Sequence, residues 1–242
     1  MKNIENILVV LPARGNSKRI PKKNIHPILG QPMIYWPIME LRKIFTPEEI
    51  LVSTDSDEIA EAVEELGLRV PLRRPVHLSD DHTGTVPVIT HALEWFEKNV
   101  KRVDYVLAVY PTAVMLLIDD ILDAFEMLRR DKLCDSVLSA CTFPYPVQRA
   151  VFENADGYAE MFQPQYFHSR SQDLVESKHD AGQFSISRAG AVRKGKILTN
   201  SRVRMKLLNR NNVIDIDTME DLEVAEEKLR IHNQRYDKKY HI

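Results

Sequence analysis

Five apolar residues, Ile7-Leu8-Val9-Val10-Leu11, run directly into a small, polar and strongly basic stretch, Pro12-Ala13-Arg14-Gly15-Asn16-Ser17-Lys18-Arg19-Ile20-Pro21-Lys22-Lys23-Asn24. The apolar run fits a strand buried on both faces, as in a parallel sheet. In open α/β sheets, ligands bind beyond the C-terminal ends of the strands, so this strand would open onto an anion. Gly15 permits close backbone approach, and the density of cations implies a polyphosphate. The spacing is neither Gly-x-x-x-x-Gly-Lys-Ser/Thr nor Gly-x-Gly-x-x-Gly, which excludes the P-loop and dinucleotide fingerprints. Charge runs are ordinarily solvated. Solvation alone does not account for cations that follow the first strand and are interrupted by Gly, Pro and Asn.

Strand-like and helical runs then alternate. Met33–Phe45 has helical periodicity and Ile50–Ser53 reads as a strand. Asp55-Ser56-Asp57-Glu58 supplies an N-cap and an acidic first turn, with Gly67 as C-cap. Leu68–Pro71 reads as a short strand, Val86–Asn99 as a helix, Val103–Val109 as a strand and Ile118–Arg130 as a helix. Ser136–Ala140, Gln183–Ser187 and Val213–Ile216 read as further strands. A terminal helix is predicted from Thr218 to about His232, with a fraying charged end at Arg235–Ile242. The pattern predicts an α/β fold with a mostly parallel sheet covered by helices. Between Thr142 and about His179 the alternation breaks into segments rich in Pro and aromatics, an excursion from the sheet.

The 242 residues are read as a single domain, residues 1–242, with 142–182 as the excursion. An apolar fraction of 44% supports a substantial core, and a net charge of −2 argues against nucleic acid as a partner. No apolar run approaches about 18 residues, so no membrane span is expected. Met1–Glu5 leads straight into the first strand, without room for a signal peptide. Cys134 and Cys141 fit no metal or redox motif and read as buried thiols in the cytoplasm.

Three further clusters carry chemistry. Asp215-Ile216-Asp217, read on a strand, places two carboxylates on one side, a donor pair suited to Mg²⁺ together with phosphate oxygens. Asp217 has a second reading as a helix cap with Glu220 at N3. Arg73-Arg74-Pro75-x-x-Leu78-Ser79-x-Asp81-x-Thr83-Gly84-Thr85 is a basic turn and polar loop before a helix start, which can bind an anion or a base or be an ordinary turn and cap. In the excursion, Gln148-Arg149 and Ser169-Arg170-Ser171-Gln172-Asp173 combine guanidinium groups with amides. That set suits a carboxylate and hydroxyls, or salt bridges between subunits.

The segment Ala13-Arg14-Gly15-x-Ser17-Lys18-Arg19-Ile20-x-x-Lys23-Asn24 resembles the nucleotide loop of the CMP-sialic acid synthetase (acylneuraminate cytidylyltransferase) family. The likeness extends from Leu8 to about Ala225. Phe-Pro-Tyr-Pro-x-Gln-Arg-Ala, Ser-Arg-Ser-Gln-Asp-Leu and His-Asp-Ala-Gly-Gln-Phe look most like its pseudaminic acid branch. The resemblance implies a Rossmann-like nucleotidyltransferase that joins CTP to an acidic nine-carbon sugar and releases pyrophosphate. It implies that Arg14, Gly15, Ser17, Lys18, Lys23, Asn24, Arg74, Asp81 and Thr85 hold the nucleotide, with Arg14 and Lys23 catalytic. Asp215 and Asp217 would hold Mg²⁺. Tyr110, Gln148, Arg149, Arg170, Gln172 and Gln183 would face the sugar, in a homodimer whose excursion reaches the neighbouring site. His179 is expected to be structural. Two departures, Val114 for Pro and Ser185-Ile186 for aromatics, are expected on the sugar side. Sialic or legionaminic acid is the alternative substrate, and a non-catalytic nucleotide-binding relative is the alternative of another class.

Overall fold

The computed structural model describes residues 4–197 and 201–240, excepting the side chains of 235–240. A six-stranded sheet forms the centre. It is built from β1 (Ile7–Pro12), β4 (Ile50–Ser53), β5 (Tyr105–Val109), β6 (Ser136–Thr142), β9 (Lys178–Arg188) and β10 (Val203–Leu207). Their order is β10-β6-β9-β5-β1-β4. All run in one direction except β9, which lies antiparallel between β5 and β6. A small hairpin, β2 (Pro27–Ile28) with β3 (Gln31–Pro32), follows the basic stretch.

The apolar run of β1 has two partners. Ile7, Val9 and Leu11 pack with Ile38 and Leu41 of α1 (Tyr35–Leu41), Ile59 and Val63 of α2 (Asp57–Glu65), and Ile121 and Leu128 of α4 (Ile118–Arg130). Leu8 and Val10 point the other way, into a cluster with Ile89, Leu93 and Phe96 of α3 (Thr85–Asn99) and Val192 of α5 (Ala189–Val192). All five apolar residues are fully buried, as a strand covered on both faces requires. A third cluster lies under the basic stretch and ties Ile20, Met33, Val114 and Ile216 to Leu222, Ala225 and Leu229 of α6 (Met219–Tyr240).

The excursion carries a second hairpin, β7 (Val151–Glu153) with β8 (Ala159–Met161), and several single 3₁₀ turns. It leaves and returns through one cross-strand pair, Thr142 opposite Lys178.

Several expectations change. Leu68, Val70 and Leu72 are buried in the alternation of a strand, but the segment joins no sheet; an isolated bridge, Thr54 to Arg73, follows just beyond it and just beyond β4. Pro71 offers no N–H for a ladder. Val213–Ile216 joins no sheet, because lysine side chains take its carbonyls: Lys228 Nζ donates to Val213 O at 2.9 Å and Lys23 Nζ to Ile216 O at 2.8 Å. The two aspartates therefore sit on an irregular extended segment. β10 was not expected from the sequence. The predicted helix Met33–Phe45 is helical only over Tyr35–Leu41, with turns on either side. The last helix runs on to Tyr240 instead of ending near His232; the expected fraying concerns side chains and residues 241–242 outside the described set. Met1–Asn3 of the lead-in also lie outside it. Among the described residues, no helix is long and apolar enough to cross a membrane.

Candidate active site

A cavity of about 530 Å³ opens where β1 and β5 end. The strand order reverses there, the chain passing from β1 to β4 on one flank and from β5 to β6 beyond the other, the usual place for a ligand crevice in such a fold. Pro12, Arg14, Ser17, Lys18, Lys23 and Asn24 line it from the basic stretch. Arg74, Asp81 and Thr85 line it from the segment before α3, and Tyr110 to Thr112 from the end of β5.

Gly15 has a steric duty. A Cβ there would stand 2.7 Å from the Cβ of Ser56, closer than two carbons can approach, and its N–H donates to Asp55 Oδ1 at 2.8 Å. The close approach foreseen at Gly15 is therefore made to the start of α2. Asn24, almost wholly buried, donates to the Arg14 carbonyl at 2.8 Å and folds the stretch back on itself.

The cations converge with counter-charges inside the site. Arg14 Nη1 meets Asp81 Oδ1 at 2.9 Å and Lys18 Nζ meets Asp81 Oδ2 at 2.5 Å. The Lys18 ammonium, helped by Arg14, holds the Asp81 carboxyl below the usual carboxylate range. Lys23 Nζ and Arg19 Nη2 both reach Asp217 Oδ1, at 3.1 and 2.7 Å. Arg74 is 7% exposed and donates from Nη2 to the Ser53 carbonyl at 2.5 Å and from Nε to Ser53 Oγ at 3.2 Å. Burial pushes its guanidinium down to about 10, against the opposing effect of Asp55, so it remains a cation at neutral pH. Thr85, in the first turn of α3, lies with its hydroxyl 3.4 Å from that of Tyr110.

Outside the lining of this cavity, but within electrostatic reach of Tyr110, lie Asp180 and Asp215. Asp215 stands behind Gly182, where an added Cβ would lie 3.7 Å from Asp215 Oδ1. Burial first, and the like charge of Asp217 second, raise the Asp215 carboxyl above its ordinary range. Desolvation and Asp215 raise Asp180 as well, and burial raises the Tyr110 phenol. Tyr110 N–H donates to the Gln183 carbonyl at 2.9 Å, and the Gln183 amide is itself spent on the Asn212 carbonyl at 2.5 Å. His179 Nδ1 lies 2.7 Å from the Asp180 carbonyl, as suits a structural histidine.

Asp217 does not cap α6. Thr218 and Asp221 form the reciprocal pair, with Asp221 Oδ2 accepting from Thr218 N at 2.8 Å and Asp221 N donating to Thr218 Oγ1 at 3.2 Å. This frees Asp217 for the site. Among the described residues, no group of three or more His, Cys, Asp or Glu is placed to hold a metal ion. A carboxylate pair is nonetheless a sufficient protein share for Mg²⁺, which keeps waters and phosphate oxygens as its other ligands. The mutual repulsion at Asp215 is what a cation relieves.

Five of the expected sugar residues, Gln148, Arg149, Arg170, Gln172 and Gln183, do not line this cavity within the chain. Gln148 donates to the Val175 carbonyl at 2.8 Å, and Arg170 forms a two-point pair with Asp173 at 2.7 and 3.1 Å. Arg149 lies among Phe143, Tyr145 and Val147 on the excursion, and Gln172 is exposed. The two departures are core positions. Val114 belongs to the cluster under the basic stretch, and Ser185-Ile186 are buried in the middle of β9. Arg19, not expected among the site residues, also lines the cavity and pairs with Asp217.

Comparison with known proteins agrees with this geometry. The sequence model of the family described as cytidylyltransferase matches residues 8–139. The chain is 34% identical to a pseudaminic acid cytidylyltransferase of Campylobacter jejuni over 97% of its own length and 99% of the relative. It is 28% identical to a CMP-N,N'-diacetyllegionaminic acid synthase of Legionella pneumophila, covering 94% and 98%. The fold superposes on CMP:2-keto-3-deoxy-manno-octonic acid synthetase complexed with CTP with a TM-score of 0.67 at 17% identity, covering 92% and 98%. The chain belongs to the cytidylyltransferase family. Within it, the relatives matched along nearly the whole chain are named for pseudaminic acid and N,N'-diacetyllegionaminic acid.

Proposed function

We propose that this enzyme condenses CTP with pseudaminic acid, giving the CMP-sugar and pyrophosphate. The sugar's anomeric oxygen attacks the α-phosphorus, a new O–P bond forms, and the bond to the bridging oxygen of pyrophosphate breaks. The observation that carries the reading is the convergence of Arg14, Lys18, Lys23 and Arg74 on one cavity at the ends of β1 and β5. Fixed cations act in such a reaction by neutralising charge that builds on the leaving oxygens. Arg14 presents a fork, Lys18 and Lys23 point charges. Thr85 and Tyr110 bound the floor, where the base and sugar would meet.

The family generally uses a divalent metal, and Asp215 with Asp217 fit Mg²⁺. Bound there, it would lower the cost of charge on the α-phosphate and help deprotonate the attacking hydroxyl. The excursion, residues 142–182, serves as a dimerisation and sugar-binding arm. Its exposed Phe152, Phe162, Tyr158 and Phe167 support burial against a second copy. In the homodimer, Gln148, Arg149, Arg170 and Gln172 reach the neighbouring site. The composition and the two buried, unpaired cysteines support a cytoplasmic enzyme. The legionaminic acid relative supports a second substrate reading.

The test offers CTP and Mg²⁺ with pseudaminic, legionaminic, sialic and 3-deoxy-octulosonic acids, following pyrophosphate release and the mass of the product. Turnover with pseudaminic acid is expected. Turnover with another sugar corrects the substrate, and CTP binding without turnover across the panel overturns the proposal.

A further inference from the structure

Asp81 occupies the cations that a polyphosphate needs. Its two carboxylate oxygens are divided between them, Oδ1 on Arg14 Nη1 and Oδ2 on Lys18 Nζ, so one side chain spans two cationic centres as two phosphoryl oxygens do. Arg14 Nη1 also donates to the neighbouring Asp80 carbonyl at 3.2 Å. All of these groups line the same cavity.

The segment that carries Asp81 is built to keep its shape when those contacts are lost. Ser79 Oγ donates to the Pro75 carbonyl at 3.0 Å, Thr83 Oγ1 to the His77 carbonyl at 3.3 Å, and Asp80 Oδ1 accepts from His82 N and Thr83 N at 2.9 and 2.6 Å. One end is anchored by buried Arg74 on Ser53 and the other by α3. The segment therefore closes on itself, and its hold on the basic stretch is through the two ion pairs and one carbonyl. Exposed ion pairs of this kind are individually weak, so a ligand with more negative charge displaces them.

We propose that Asp81 is an internal stand-in for phosphate: it neutralises Arg14 and Lys18 in the ligand-free enzyme, yields them to the β- and γ-phosphates of CTP, and reclaims them as pyrophosphate leaves. The inference rests on the cytidylyltransfer reading and adds to it a role for an acid in an otherwise cationic subsite. It differs from direct nucleotide binding by Asp81, because a carboxylate that competes with phosphate weakens ground-state binding. The competition guards the cations against weak anions and speeds product release.

The experiment measures binding of inorganic pyrophosphate and of CTP by calorimetry, without metal, to wild type, Asp81→Asn and Glu58→Gln. Glu58 pairs with Lys22 of the same basic stretch at 2.8 Å, outside the cavity lining, so that variant reports the general effect of removing a negative charge nearby. Asp81→Asn is expected to tighten pyrophosphate at least about tenfold, equivalent to about 1.4 kcal/mol, with CTP tightened in parallel and Glu58→Gln changing little. In turnover, pyrophosphate becomes a stronger product inhibitor of Asp81→Asn. Circular dichroism and melting confirm that each variant is folded. If wild type binds both ligands and Asp81→Asn binds them no more tightly than Glu58→Gln, the stand-in role is overturned alone. If wild type binds neither, with or without Mg²⁺, the cytidylyltransfer reading falls and this role with it.

Discussion

Replacing Gly15 by alanine tests how the basic stretch is held. The backbone angle at Gly15 is one an L-residue adopts, so the whole effect comes from one methyl group set 2.7 Å from Ser56 Cβ and 3.4 Å from Ser56 Oγ. Both neighbours are constrained. Ser56 caps α2, accepting from Ile59 N, and Asp55 holds the Gly15 N–H. Forcing a methyl into a packed contact costs about 1–3 kcal/mol. For a chain of this size each kcal/mol lowers Tm by about 2–4 °C, so Gly15→Ala is expected to melt about 2–12 °C below wild type. A shift of about 1 Å in Arg14 and Lys18 lowers kcat/KM for CTP by up to about 100-fold. Ser56→Gly removes the obstructing Cβ and, as glycine at an N-cap, costs only a few tenths of a kcal/mol. The double variant should therefore be more stable than the sum of the single effects by about 1–2 kcal/mol, a coupling within the range of residues in contact. Melting curves and CTP kinetics on the four proteins provide the cycle. Strict additivity, or a Gly15→Ala protein as stable and active as wild type, would refute the reasoning.

Three other substitutions probe separate parts of the site. Asp215→Asn is expected to lower kcat/KM at least about 100-fold by removing an anion from the reaction centre. It should also raise Tm at pH 7 by about 2–4 °C, a gain of at most about 1 kcal/mol after solvent screening. The sign follows from the raised folded-state pKa of Asp215: the charged form is disfavoured in the fold, so the wild type recovers the difference as pH falls through that pKa, and the Tm gap should close in acid. Thr218→Ala removes the α6 cap at a cost of about 1 kcal/mol, lowering Tm by about 2–4 °C while leaving kcat unchanged; a loss of kcat would mean that the cap also positions Asp217. Arg74→Met leaves the Ser53 carbonyl without its charged donor, costing about 1.5–3 kcal/mol, and raises KM for CTP; an unchanged KM would remove Arg74 from the nucleotide site.

The elements with the densest apolar signal were legible in the sequence. Ile50–Ser53 and Ile118–Arg130 fall where their pattern puts them, because the strand is apolar on both of its buried faces and the helix buries one strong stripe. β10 was illegible because Arg204 and Lys206 alternate with Val203, Met205 and Leu207, and its charged face is satisfied by Asp131, Asp120 and Asp123 of α4 and its flank. Such a strand is stabilised by partners far away in sequence. Val213–Ile216 failed for the opposite reason. Its residues suit a strand, but Lys23 and Lys228 reach its carbonyls. The convergence of the first loop's cations on one cavity was readable from their position after the apolar strand. Their ion pairs, and Thr218 with Asp221 as the true cap of α6, depend on distances no spacing rule supplies.

The neck of the arm has a consequence for how enzymes of this shape diversify. Residues 143–177 hang from a closed ladder rung, Thr142 opposite Lys178, reinforced by Phe143 N–H on the Ser177 carbonyl at 3.2 Å. The ends are thus held together by the sheet whatever lies between them. Doubling the length of such an insertion adds only about 0.6 kcal/mol of closure entropy. Because β9 is antiparallel, both ends of the insertion sit at the same rim as the cations that line the cavity. On the proposed reading the arm can be exchanged as a cassette, renewing the acceptor that is recognised while the donor machinery and the register of the sheet stay as they are.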